Sequence, residues 1–438
     1  MYKRGIIVSK SLNKFTLLKT RYYGTEASTF QLGDIVLLRD VVNPDRVTLS
    51  SPLKSDEFIL TPHGKIPTSL ILGRPIRDSI HVPNSKKNSA FLATLPTMEE
   101  FIVNRRRDAQ PIYPLDAHAI VGLADIHVDR PVYQEKDGKL IRTSPPLQIL
   151  ESGTGHGSLT LAISRAIHGA NTFSSGTKSN NIFVDGEVQA TRDHIPEQLH
   201  PGALLHSIDK SSKHSQTGSL NVKHFRRGIY YKDVKFHVAN SPADWLNSFP
   251  SGRFRSMHKH YNQESLSEPR STELMEPTAP SFDNEEAFLS AAFLDLPSPE
   301  DQIDSVSKNL LLNAPLIVFC PSVSQIQKTI DHVQEHGLDL IVDRVVELMP
   351  GMGGSLREWD VRNTTIRSSG ESAWVVRPKV GTRVVGGGFV AVFKKVSNGL
   401  KKPRKEHAKR LSSLPGVNDI KTKSLIQKVL EWLGVTFV

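Results

Sequence analysis

The chain of 438 residues carries 55 Lys and Arg against 45 Asp and Glu, a formal charge of +10 at pH 7, and 38% hydrophobic residues. That length suggests two or three domains; the low apolar fraction suggests that part of the chain does not pack, and the positive balance favours a polyanionic partner without choosing between nucleic acid and an acidic membrane surface. The single cysteine, Cys320, excludes disulfides and cysteine-based zinc sites within one chain, and no apolar run approaches the roughly 20 residues that cross a bilayer, so a soluble chain is expected.

Residues 1–29 read as a mitochondrial targeting segment. Lys3, Arg4, Lys10, Lys14, Lys19 and Arg21 fall among the first 25 residues with no acidic residue between them, interleaved with serine and apolar side chains. The expected location is therefore the mitochondrial matrix, with the nucleus as the alternative. Residues 30–95 predict a β-rich module, because short apolar runs such as Ile35-Val36-Leu37-Leu38 and Glu57-Phe58-Ile59-Leu60 are separated by Gly, Pro, Asp and Asn. Helical patterns follow at Met98 to Ile102 and Asp116 to Ala124, joined by the kinked connector Pro111-Ile112-Tyr113-Pro114.

From Leu147 strands and helices alternate, which predicts a parallel α/β sheet. The strands are Leu147 to Leu150, Ala203 to His206, Val234 to Val238, Ala291 to Leu294 and Leu316 to Cys320, with two more over Leu340 to Leu348 and Gly388 to Phe393. Helices carry Leu159, Ile163 and Ile167, and later Ile326, Ile330 and Val333, on one face each. This domain spans 96–396, interrupted by polar stretches at about 171–200 and 250–284 that are expected to be disordered insertions. Residues 397–438 read as a basic linker and a terminal helix with Leu425, Ile426, Val429, Leu430 and Leu433 on one side.

The strongest local signal is Glu151-Ser152-Gly153-Thr154-Gly155-His156-Gly157-Ser158 after the first strand of the α/β region. Glycines there let the backbone bend tightly and approach a ligand, and the next helix offers unpaired N–H groups. The spacing is neither the G-x-G-x-x-G of dinucleotide folds nor a P-loop, since no Lys-Ser/Thr pair closes it. An acid before a compact turn suits a small nucleoside ligand such as S-adenosylmethionine. Asp209 at the tip of the second strand can accept both ribose hydroxyl protons, and Asn240 after the third can meet an adenine edge. Asp295 ends the fourth strand in Asp295-Leu296-Pro297-Ser298-Pro299, where the prolines stiffen the loop. A carboxylate there can accept a hydrogen bond from an exocyclic amine and then its proton.

In this ordered series the chain resembles the tRNA (adenine-58-N1) methyltransferase family, catalytic-subunit type, over roughly residues 31–396. Gly33 to Leu38, His63-Gly64-Lys65-Ile66 and Leu72-Gly73-Arg74-Pro75 look like its N-terminal β module. Pro96 to Phe101 and Tyr113-Pro114-Leu115-Asp116 resemble its linker and cofactor lid, and Glu151 through Thr160, with Leu159 inside it, resembles its cofactor loop. Asp209 followed by His214, Asp295-Leu296-Pro297, Cys320-Pro321-Ser322 with Gln325, and Arg357-Glu358-Trp359 match later segments. The resemblance implies a Rossmann-like fold that binds S-adenosylmethionine through Glu151, Gly153, Gly155, Gly157, Ser158, Leu159, Thr160, Asp209, His214, Asn240 and Asp295. It further implies methylation of N1 of adenine-58 in the tRNA T-loop with Asp295 as the catalytic residue, and either a homotetramer or a heterotetramer with a non-catalytic sister subunit. The sequence departs from the family at Asn240 (often Asp), Glu300 (commonly aromatic), His156 (often Ser) and Gly386-Gly387-Gly388 (Gly-His-Thr in many members).

Two other readings compete. A non-catalytic tRNA- or ribosome-binding protein that kept the fold would usually lose the glycine turn and the catalytic Asp, and both are present. A protein methyltransferase is disfavoured by the N-terminal β module and the basic balance.

Overall fold

The computed structural model describes residues 29–85, 89–129, 145–171, 202–248, 251–252, 254–255, 287–349, 359–378 and 386–397, with the backbone of four short strands between them. All but the last residue of the segment 1–29 expected to be a targeting sequence, and nearly all of the basic linker and terminal helix expected over 397–438, lie outside these residues. The chain divides into two compact units, residues 1–100 and 101–438.

The described residues of the first unit are mainly β, with a 3-10 turn at Thr68–Leu70 and the start of a helix at the end. Its strands are β1 (Leu37–Asp40), β2 (Val47–Leu49), β3 (Phe58–Thr61), β4 (Gly64–Pro67), β5 (Ser79–His81) and β6 (Ala90–Thr94). An antiparallel sheet runs in the order β2-β1-β6-β5, and β3 and β4 form a separate hairpin. Alternate residues turn inward, so Val36, Leu38, Ile66, Ile80 and Phe91 join one buried cluster. Helix α1 (Met98–Asn104) runs on into the second unit.

The second unit begins with α2 (Pro114–Leu123), the hairpin β7 (Tyr133–Lys136) and β8 (Lys139–Arg142), β9 (Leu147–Ser152) and α3 (Ser158–Ile167). A hairpin of β10 (Ile182–Val184) and β11 (Glu187–Gln189) precedes β12 (Ala203–Asp209), α4 (Ser212–His224), β13 (Val234–Val238) and the short α5 (Pro242–Leu246). Then come β14 (Ala291–Asp295), α6 (Ile303–Asn309), β15 (Pro315–Cys320), α7 (Val323–Glu335), β16 (Leu340–Leu348), β17 (Trp359–Thr365), β18 (Ser372–Pro378) and β19 (Gly388–Lys395).

Seven of these strands make one sheet in the order β13-β12-β9-β14-β15-β19-β16, parallel except where β19 runs against β15 and β16. The middle strands are buried on both faces, as expected of a parallel sheet covered by helices on both sides. One face buries Leu150, Ile208, Leu294, Leu316 and Val318 against Trp245, Phe288, Ile303 and Ile326, each such aliphatic side chain contributing about 1.5–3 kcal/mol. The chain leaves β9 toward β12 and β13 and later returns to β9's other edge with β14. That reversal opens a crevice at the carboxyl ends of β9, β12 and β14.

Three features differ from the sequence expectation. The β17–β18 hairpin was not expected; its residues are at most half-buried, so no inward-outward period marks it, although Trp359, Val361, Trp374 and Val376 are all exposed. A hairpin stands within the first polar stretch, at β10 and β11. The second stretch is structured at its start: Ser251 is buried, and the Phe254 ring lies 4.4 Å from that of His206. The remainder of both stretches lies outside the described residues.

Phe254 covers a polar pair inside the apolar face. His206 Nδ1 is 3.3 Å from His237 Nε2, and its Nε2 is 3.1 Å from Gln148 Oε1. Burial holds His206 well below the usual imidazole range, and burial together with Lys235 holds His237 down at about 4. Both are neutral when folded, whereas an unfolded histidine titrates near 6.5. Stability from this pair is therefore present above that value and lost as pH falls toward about 4. Urea unfolding at pH 7 and pH 4.5 should show a smaller acid loss for His237→Gln than for wild type; equal losses would contradict this account.

Candidate active site

Three strand tips meet at the crevice. After β9 the backbone turns through Gly153, Gly155 and Gly157, all at positive φ (105°, 49° and 85°), where L side chains are strained. A Cβ on Gly153 would collide with the carbonyl oxygen of Asp295, so glycine is what lets the tips of β9 and β14 touch. A Cβ on Gly157 would lie 3.0 Å from Gly218 Cα, which sets α3 against α4. The bend is held to β12 by Gly153 N–H and Thr154 N–H, which donate to the Ile208 carbonyl at 2.9 and 3.2 Å.

Asp209 receives Gly155 N–H on Oδ2 at 2.9 Å and Ser211 N–H on Oδ1 at 2.8 Å. These bonds aim its carboxylate along the bend, with His214 Nδ1 3.8 Å away. Asp295 is half-buried, and no side chain of the described residues hydrogen-bonds its carboxylate. Burial and then the negative charge of Asp209 push it up to about 7.

Glu151 is fully buried beneath the bend. Its Oε2 accepts from Ser207 Oγ at 2.6 Å and from Thr160 Oγ1 at 2.7 Å, while Oε1 has no partner. Burial raises it to about 8, against the two hydroxyl bonds, and the charges of Asp295 and Asp209 add to the rise. Among the described residues no Lys or Arg pairs with Glu151, Asp209 or Asp295. Three carboxylates around one bend without a cation suit a ligand that brings positive charge.

The structure thus brings Glu151, Gly153, Gly155, Gly157, Asp209 and Asp295 together. Ser158 and Leu159 are buried at the first turn of α3, and Ser158 Oγ has no partner. Thr160 turns its hydroxyl into Glu151 and reaches the site through that residue. Asn240 is exposed, two residues beyond the end of β13, and no described residue hydrogen-bonds its side chain. Ser207 was missed as a site residue. The signal was available: a serine within the buried run Leu204-Leu205-His206-Ser207-Ile208 requires a partner. It binds both Glu151 and, at 2.7 Å, Thr154.

Two supports frame the crevice. Gln325 completes a capping box on α7 through Ser322 N–H, and its Nε2 donates to the Pro297 carbonyl at 2.9 Å, fixing the loop after Asp295. Buried Asp116 on α2 accepts Gly387 N–H at 3.0 Å. Behind the bend, Asn221 holds the His156 carbonyl at 2.9 Å and Arg105 Nε at 3.0 Å. His156 itself is buried and pushed down to about 4.

Comparison with known proteins bears on this site. Residues 247–380, which carry Asp295, Pro297 and Gln325, match the family described as tRNA methyltransferase complex GCD14 subunit. The tRNA (adenine(58)-N(1))-methyltransferase TrmI of Thermus thermophilus is 23% identical over 267 residues, which is 61% of this chain and 66% of the relative, just under two thirds of its length. Over these stretches the chain is similar to the tRNA (adenine-58-N1) methyltransferases. Among solved structures, a SAM-dependent O-methyltransferase from Thermotoga maritima superposes with a TM-score of 0.51 at 17% identity, over 86% of this chain and 97% of its own. The tRNA (m1A58) methyltransferase TrmI from Aquifex aeolicus gives 0.45 at 17% identity, over 84% and 100%. The fold is accordingly a Rossmann-like α/β methyltransferase fold with a small β-rich N-terminal unit.

The raised Glu151 yields a stability test. Its stabilising contribution is full below its ordinary value of 4.5 and is lost as pH rises through about 8. In thermal scans without ligand, the melting temperature of Glu151→Gln should therefore fall less between pH 6 and pH 9 than that of wild type. An identical pH dependence in the two proteins would count against a buried, protonatable Glu151.

Proposed function

We propose that this chain transfers a methyl group from S-adenosylmethionine to N1 of adenine-58 in the T-loop of tRNA. The observation that carries this reading is the meeting of the glycine bend with the Asp295 tip, which sets a ligand-sized turn beside an unpartnered carboxylate. The similarity to the family supports the same reading.

The residues fit the cofactor. Asp209 would hold the ribose hydroxyls, and the bend from Gly153 to Gly157 leaves room for backbone contact with the ligand. Buried Glu151, with a free Oε1 and no cation beside it, favours a positively charged ligand on the other side of the bend. When bound, S-adenosylmethionine supplies an electrophilic methyl group on a sulfonium.

Asp295 acts on the base. Its carboxylate accepts a hydrogen bond from the exocyclic amine, which pushes electron density toward N1 as that nitrogen attacks. Methylation at N1 makes the amine more acidic, and Asp295 can then take its proton. The loop fixed by Gln325 holds this carboxylate in place, and much of the rate gain comes from positioning two bound reactants in line. An adenine that is paired or stacked in folded tRNA must be extruded to reach the crevice. The formal charge of +10 supports binding of an RNA polyanion.

The composition of residues 1–29 supports the mitochondrial matrix as the site of action. We infer a tetramer, either of identical chains or with a non-catalytic sister subunit.

Purified Asp295→Ala should fold and bind S-adenosylhomocysteine as wild type does, while methyl transfer to a tRNA transcript falls about 10²- to 10⁴-fold. Transfer by wild type should vanish on a transcript with guanine at position 58. An Asp295→Ala protein with wild-type activity would contradict the assignment. Wild-type activity at subsaturating donor should fall as pH drops through about 7, since Asp295 must be ionised to accept the proton. Saturating donor should move that limb to lower pH, because a sulfonium favours the carboxylate form.

A further inference from the structure

The end of the sheet away from the crevice carries a charged surface of its own. Between Asp209 and Asp244 the chain has seven Lys and Arg and a single acid, Asp233. That acid is turned inward: it is buried, with Oδ2 2.6 Å from His168 Nδ1 and Oδ1 accepting from Asn171 Nδ2 at 2.9 Å. The stretch therefore shows solvent no carboxylate, while Lys223, Arg227, Lys232 and Lys235 are exposed.

The fold draws several of these cations around one ring. Helix α4 ends at His224, and the chain doubles back through Arg226, Arg227 and Gly228, all in the left-handed region (φ 47°, 59° and 71°). A Cβ on Gly228 would lie 2.9 Å from the Lys223 carbonyl oxygen and 3.5 Å from Tyr231 Cβ, so the turn packs tightly onto the helix end. Tyr231 is exposed, with Lys223 Nζ 5.9 Å from its ring centroid and the Phe236 ring of β13 stacked against it at 6.4 Å. Lys232 follows it directly in the chain. A lysine at a helix C-terminus suits the helix dipole, and Lys235 on the edge strand β13 deters strand pairing. Neither reason accounts for an exposed tyrosine set among the cations, or for two successive arginines in a conformation that non-glycine residues adopt at a cost.

Exposed Lys and Arg side chains with a Tyr hydroxyl, and no acid between them, are the groups that contact phosphate oxygens of a nucleic acid. The surface is too far from the crevice to serve the cofactor. Helix α4 runs from beside Asp209 to this surface over 13 residues, about 20 Å at roughly 1.5 Å per residue. A ligand that fills the crevice and also touches Tyr231 must be extended, as a folded RNA is and a nucleotide is not.

We propose that Lys223, Arg227, Tyr231 and Lys232 form a phosphate-contacting surface that docks the body of the tRNA while its target base enters the crevice. The inference rests on tRNA being the substrate. Contacts of this kind position the RNA without reading its bases, so they act on affinity and leave the chemical step alone.

The test is binding of labelled tRNA to the full chain with S-adenosylhomocysteine present. It compares wild type, K223E/K232E and a charge-matched control, K308E/K328E, which reverses two exposed lysines of α6 and α7. K223E/K232E should bind tRNA about tenfold more weakly or worse, and the slope of log affinity against log salt should become shallower by about two, one for each lost phosphate contact. Its KM for tRNA should rise in step, while kcat at saturating tRNA and affinity for S-adenosylhomocysteine stay at wild-type values. K223Q/K232Q, which adds no negative charge at the helix end, should show the same change of slope with a smaller loss of affinity. Wild-type tRNA affinity in K223E/K232E, or an equal loss in the control, would overturn this surface and leave the proposed methyl transfer standing. Loss of binding to phosphatidylserine vesicles by K223E/K232E, with tRNA affinity unchanged, would overturn it in favour of a membrane partner. Wild type that neither binds nor methylates tRNA would overturn the surface and the proposed function together.

Discussion

Burying Glu151 under the glycine bend, with Asp209 and Asp295 beside it, gathers three carboxylates where no lysine or arginine among the described residues offsets them. Two hydroxyls, from Ser207 and Thr160, hold one oxygen of Glu151; the other has nothing. Such an arrangement weakens the folded chain as pH rises, and Glu151 and Asp295 answer it by holding their protons to about 8 and about 7. A ligand with positive charge relieves the same stress. A cationic donor would favour the ionised form of these same carboxylates, and they sit where the sheet's reversal of order opens the crevice.

The rest of the second unit maintains that geometry. Gly153 lets the β9 tip touch the β14 tip, Gly157 meets Gly218 where α3 passes α4, and Gln325 reaches back from α7 to hold the Asp295 loop. None of these residues needs to contact a substrate. Each removes a degree of freedom from the bend or the Asp295 tip, and on the proposed reading small displacements of these groups would carry large rate penalties. The capping box on α7 shows the economy of the design: one glutamine side chain caps a helix with its oxygen and restrains the Asp295 loop with its nitrogen.

Much of this was legible in the sequence, for physical reasons. The seven strands of the main sheet announced themselves because six of them carry continuous or near-continuous apolar runs, and strand ends followed by Gly, Asp or Pro marked the crevice side. Glu151, Asp209 and Asp295 stood out because each is an acid at the end of such a run. Ser207 did not, since a hydroxyl inside an apolar strand looks like a neutral filler until its partner across the sheet is known; Thr160 was reached through the cofactor loop, without its bond to Glu151. The β17–β18 hairpin was hidden for the opposite reason: its apolar residues face outward, so alternation carried no burial signal. Phe254 was lost in a polar neighbourhood, although its ring shields His206. Asn240, chosen for its place after a strand, proves exposed and unattached, because β13 ends two residues earlier.

The most direct test is a crystal structure with S-adenosylhomocysteine bound. The account predicts the ribose hydroxyls on Asp209, the sulfur over the bend between Gly153 and Gly157, and the Asp295 carboxylate across an open gap wide enough for a base. A ligand seated elsewhere, or an Asp295 carboxylate turned away from the sulfur toward bulk water, would contradict it.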